Sequence, residues 1–161
     1  METISELVAI YFGSLNTRKK IQPKEIKNLD LISNKFDITE EFHTKINKAL
    51  VFLMIPTVDF RQIEEVRQLN LLGKVIDEKT IQLVREKLSL AYSPNASHDF
   101  NQDFKNFCYF QLSADIEPQN IEAVKKAFES IIKAVYDKGI SSQDLENVRK
   151  PTVNQIKDYI K

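Results

Sequence analysis

The stretch FCYFQLSA, residues 107 to 114, restricts the fold more than any other part of the chain. Side chains on a strand alternate between two faces, so Cys108, Phe110, Leu112 and Ala114 fall on one side. Phe107, Tyr109, Gln111 and Ser113 fall on the other. A mostly apolar set opposite a mixed set implies a sheet with one face packed on helices. The following residues supply a cover. Pro118 opens a helical pattern in which Ile121, Val124, Phe128, Ile131, Ile132 and Val135 form one stripe, and Gly139 ends it.

The remaining elements follow from the same two periodicities. Thr3 and Glu6 have capping-box spacing, with Ile4, Leu7, Val8, Tyr11 and Leu15 at helical intervals and Gly13-Ser14 as a stop. A lysine-rich segment through Pro23 reads as a linker. Asn28 to Ile38 and Lys48 to Ile55 are expected strands, the second almost continuously apolar, as in a strand central to its sheet. A helix is expected from Asp59, carrying Phe60, Ile63, Val66 and Leu69, with an interruption at Gly73. A second runs from Glu78 to Leu88 on Ile81, Val84 and Leu88. Leu90–Ser97 and Phe104–Ile116 form two strands a hairpin apart. After Gly139, Ser141 or Ser142 caps a last helix with Leu145, Val148, Ile156 and Ile160, kinked or divided at Pro151. The fold class is α+β: an antiparallel sheet of about four strands packed on one face against helices, in one domain over residues 1–161.

Composition and motifs exclude several functions. Lys plus Arg and Asp plus Glu balance at 23 each, so no field favours nucleic acid, and the basic run from Arg18 to Lys27 reads as a solvated loop. The longest apolar run, Ala49 to Ile55, is strand-sized and leaves no membrane span. METISELVAI lacks the features of a secretory signal, and a single cysteine leaves the compartment open. Neither His43 nor His98 belongs to an HExxH or HxxEH pair, and each is expected at the surface or a strand edge, so no metal or cofactor site is expected. Three scattered glycines cannot cradle a phosphate, and Cys108 sits on an apolar face where thiols are inert. No catalytic residue is expected in this chain.

The stretch VREKLSLAYSPN, residues 84 to 95, holds the one pair of side chains suited to chemistry, Arg85 and Tyr92. One reading is an arginine ion-paired on an exposed face and a tyrosine half-buried on a strand. The other is a guanidinium offering forked donors to carbonyl oxygens and a phenol offering one directed donor. Together these could orient a peptide carbonyl or stabilise an oxyanion, with the electrophile supplied from elsewhere.

RxxLxLAYS, preceded by LNLLGKVID, resembles the pitrilysin/insulinase family of zinc peptidases (the inverzincins), and in particular their bacterial zinc-protease branch. PxxIxxVxxxFxxII followed by KGISSQDLENV is similar to the family's paired C-terminal helices, KALVFLMIPT to its central strand, and YFGSL to the end of an earlier helix. The resemblance implies a C-terminal fragment of a longer multi-domain peptidase, without metal of its own. It implies zinc on an N-terminal domain outside this chain, either in the same polypeptide or in a paired subunit. It also implies a peptide or unfolded-protein substrate, with Arg85 holding substrate backbone and Tyr92 donating to the scissile carbonyl. Ser89 stands where the family has glycine. Some relatives of this family are non-catalytic, so a structural or partner-binding module of the same fold is the alternative expectation.

Overall fold

The computed structural model describes residues 3–13, 15–16, 37–42, 45–102, 104 and 106–160. Element order is α1 (Ile4–Phe12), β1 (Ala49–Pro56), α2 (Ile63–Thr80), a π-helical segment (Ile81–Lys87), β2 (Asn95–Phe100), β3 (Cys108–Ile116), α3 (Ile121–Lys138) and α4 (Ser142–Ile160). The sheet is antiparallel in the order β1-β3-β2, so the described strands number three rather than about four. The strand expected over Asn28–Ile38 falls almost wholly outside the described residues. β3 is the central strand. β1, expected at the centre because of its apolar run, lies at an edge of the described sheet.

β3 behaves as its alternation requires: Cys108, Phe110, Leu112, Ala114 and Ile116 are buried, and the residues between them are not. They meet Val51 of β1, Ile76 of α2, Val84 of the π-helical segment, and Val124, Ala127, Phe128 and Ile131 of α3 in one core. Full burial of a Leu or Phe side chain contributes roughly 1.5–3 kcal/mol each, so this cluster is the main stabilising feature. α2 lies chiefly against β2 and α3 against β1, with α4 against α2. The run that made β1 look central is explained by its outward face, where Leu50, Phe52 and Met54 stay about half exposed.

Local signals set most helix ends. Thr3 and Glu6 form a full capping box at α1, whose residues are all unburied. Pro118 starts a single 3₁₀ turn before α3, and Gly139 closes α3 at φ 71°, where a side chain is strained. Ser141 caps α4: its hydroxyl accepts from the Asp144 N–H, and its own N–H donates to the Asp144 carboxylate.

Three expectations are corrected. Pro151 does not divide α4, which runs from Ser142 to Ile160 with the proline on an exposed face. The helix over Asp59–Leu69 begins at Ile63 instead and does not break at Gly73; it continues into the second expected helix as one rod. Gly73 marks a close crossing rather than a break, for a Cβ there would lie 3.1 Å from the His98 backbone nitrogen and 3.3 Å from the His98 Cβ. β2 starts at Asn95, five residues later than expected, which leaves Leu90–Pro94 as a connecting loop.

Candidate substrate-contact site

The rod of α2 changes character at Thr80. Its fully buried hydroxyl donates to the Ile76 carbonyl at 2.7 Å, a back-bond that commonly bends helices. From Ile81 to Lys87 the helix is π-wound, a rare form that concentrates at functional sites. It closes through the Leu88 N–H to the Leu83 carbonyl (3.0 Å) and the Leu90 N–H to the Val84 carbonyl (2.9 Å). Between these bonds Ser89 takes φ 52°, left-handed backbone that a glycine would occupy without strain. Ser89 therefore holds a turn for which a glycine is the usual residue.

This turn brings the two singled-out residues together. Arg85 lies on the π-helical segment and Tyr92 in the loop before β2, with the guanidinium carbon 5.0 Å from the phenol ring centroid. Stacking of this kind contributes about 0.5–1 kcal/mol at an exposed site, enough to bias both side chains. Tyr92 is 81% exposed, and Arg85 is exposed beside it. The half-buried strand tyrosine and the carboxylate-paired arginine are both set aside, since among the described residues Arg85 forms no ion pair. The guanidinium sits over the ring, and among the described residues neither its N–H groups nor the phenol O–H makes a hydrogen bond, which leaves both available to a ligand.

On the far side of the loop, Pro94 and Ala96 are buried, and the Ala96 N–H donates to Asp77 Oδ1 at 2.7 Å. Beyond it, His98 overturns its expected surface placement. It lies on the edge strand β2 but faces inward, 9% exposed, with its ring 5.0 Å from that of Phe110. Nδ1 lies 2.6 Å from Asn70 Oδ1, an acceptor, so Nδ1 carries the proton. Nε2 then accepts from the Thr57 hydroxyl at 2.9 Å. Burial pushes the His98 pKa down, opposed in part by Asp99. With both ring nitrogens engaged, His98 has no lone pair free for a metal. His43 lies outside the described residues. Among the described residues no group of three or more His, Cys, Asp or Glu is placed to hold a metal ion. Likewise no described helix is long and apolar enough to cross a membrane.

The family model described as peptidase M16 inactive domain matches residues 2–151. The chain belongs to this family. The resemblance drawn from RxxLxLAYS and the paired C-terminal helices is thereby borne out, as is the non-catalytic character of this M16 domain. Its fold is similar to the crystal structure of a peptidase M16 inactive domain from Pseudomonas fluorescens, at 13% identity and a TM-score of 0.60, covering 68% of this chain. At that identity the likeness concerns the fold. The M16 domain described here spans 27% of that solved chain. Among curated protein sequences none matches it.

Sequence reasoning singled out Arg85 and Tyr92 but missed the groups that hold the Ala96 N–H and the His98 ring. Asp77, Asn70, Thr57 and the π-winding carry no local signature, because their partners lie far away in sequence: Asp77 and Ala96 are 19 residues apart, Thr57 and His98 41.

Proposed function

We propose that this domain forms part of the chamber wall of a longer M16 peptidase and holds peptide substrate through Arg85 and Tyr92. Zinc and the hydrolytic step belong to a separate N-terminal domain, in the same polypeptide or a paired subunit. The observation that carries this reading is the stacked, exposed Arg85–Tyr92 pair at the end of a π-helical segment. The chemistry supports it: stacking orders the two donors together, so a peptide carbonyl meets a prearranged N–H edge and O–H rather than two mobile side chains. Peptide hydrolysis builds negative charge on that oxygen, and a donor held at hydrogen-bond distance lowers the barrier by binding the transition state more tightly than the substrate.

The test is Tyr92→Phe in the full-length peptidase, which removes one O–H and keeps the ring for stacking. The expected result is a fall in kcat on the order of ten- to a hundred-fold with KM little changed. A rise in KM at unchanged kcat would assign Tyr92 to simple substrate holding. Unchanged kcat and KM would refute the reading and favour a structural, partner-binding module.

A further inference from the structure

We infer that Asp77 is the positioning residue for the Arg85–Tyr92 pair, fastening the base of the loop from which both project; this rests on the substrate-contact reading above. Asp77 sits inside α2, half-buried, and its Oδ1 accepts from the Ala96 N–H at 2.7 Å. That N–H belongs to β2, an edge strand of the described sheet, at the point where the chain leaves the loop. Among the described residues Asp77 has no cation partner, so its charge is used on a single backbone donor. A carboxylate taken partly out of water with no counter-ion is costly in a helix interior, and a charge-assisted bond to one N–H is what retains it.

The placement of that bond gives it its consequence. It ties together two positions 19 apart, and the stretch between them contains the whole π-helical segment with Arg85 and the turn with Tyr92. A smaller closure, from the Leu90 N–H to the Val84 carbonyl, is nested within it. The inner bond fixes where the π-helix ends; the outer one fixes where the strand begins. Tyr92 lies between the two, exposed, and among the described residues it makes no hydrogen bond of its own beside the stacking. Its position relative to Arg85 is therefore set by the two anchors and by the buried Pro94.

The test uses Asp77→Ala, which removes the acceptor, and Asp77→Asn, which keeps an oxygen in the same place. In NMR spectra of the 161-residue chain, nuclear Overhauser contacts between the Arg85 side chain and the Tyr92 ring are expected in the wild type. They should be lost in Asp77→Ala and restored in Asp77→Asn. Contacts that persist in a folded Asp77→Ala would overturn the inference, whatever that variant does to overall stability. In the full-length peptidase, Asp77→Ala should lower kcat by about the factor of Tyr92→Phe, and the double variant should be no slower than Tyr92→Phe alone. Multiplied effects would also overturn it. Unaltered kcat and KM in Tyr92→Phe would instead remove the substrate reading, and the NMR arm would still decide the positioning role.

Discussion

Replacing Gly73 tests how closely α2 is pressed onto β2. In an exposed helix interior, Gly→Ala stabilises by about 1 kcal/mol through propensity alone. At Gly73 the added methyl would lie 3.1 Å from the His98 backbone nitrogen, 3.3 Å from its Cβ and 3.5 Å from a Phe110 ring carbon. Ordinary carbon contacts begin at about 3.5 Å, so two of the three are too short by a few tenths of an ångström. The tightest neighbour is backbone and cannot rotate away. Moving it also disturbs a histidine held at 2.6 Å to Asn70 and 2.9 Å to Thr57. Overpacking a close contact costs roughly 1–3 kcal/mol, which exceeds the helix gain. Gly73→Ala should therefore be destabilised by about 1 kcal/mol net, and Gly73→Val, with two further methyl groups and a β-branched penalty, by more than about 3 kcal/mol. Urea denaturation followed by circular dichroism reads both. For a chain of this length 1 kcal/mol corresponds to about 2–4 °C in Tm. A Gly73→Ala protein more stable than wild type by the full helix-propensity gain would show that α2 and β2 do not meet there, and the reasoning would fail.

Three further outcomes are expected. Because burial holds the His98 pKa below 6.5, the unfolded chain takes up its proton first as pH falls, so the contribution of His98 is complete above about pH 6.5 and declines below it. The stability difference between wild type and His98→Gln should shrink as urea midpoints are measured from pH 8 down to 5; a growing difference would contradict the buried neutral ring. Asp144 is held down to a pKa of about 2, first by Lys79 at 2.9 Å and then by the Ser141 N–H. Asp144→Asn should cost about 1 kcal/mol at pH 7, and the two proteins should converge as pH falls from about 4 towards 2, as read by thermal melts. Ser89→Gly should stabilise by about 0.5–1 kcal/mol, since φ 52° strains serine more than glycine, while Ser89→Val should destabilise.

The readings that succeeded rest on short-range patterns. The alternation of β3 was readable because each position reports its own face, whatever lies opposite. The limits of α3 were readable because Pro118 and Gly139 act on the backbone beside them. The failures share the opposite cause. Gly73 in an amphipathic run reads as a break by propensity, but in the fold the missing side chain is a seat for the His98 backbone. The outward Leu50, Phe52 and Met54 made β1 look doubly covered, and hydrophobicity does not state which face meets the core. Leu88 shares a helical stripe with Ile81 and Val84 in the sequence; the π-winding shifts the register, and it is 45% exposed while Val84 is buried.

For the candidate site the division is similar. The sequence named Arg85, Tyr92 and the odd Ser89, because residue chemistry and a family phrase are both carried by a dozen neighbouring positions. It also determined the α+β class, the helix caps and the want of a zinc motif. Only the tertiary structure decided that β1 lies at an edge of the described sheet, that His98 turns inward between Asn70 and Thr57, and that guanidinium and phenol stack. Periodicity and capping are properties of neighbouring residues and survive any packing. Strand order, the depth of a side chain and the partner of a charge depend on contacts across many intervening residues, and those exist only once the chain has closed on itself.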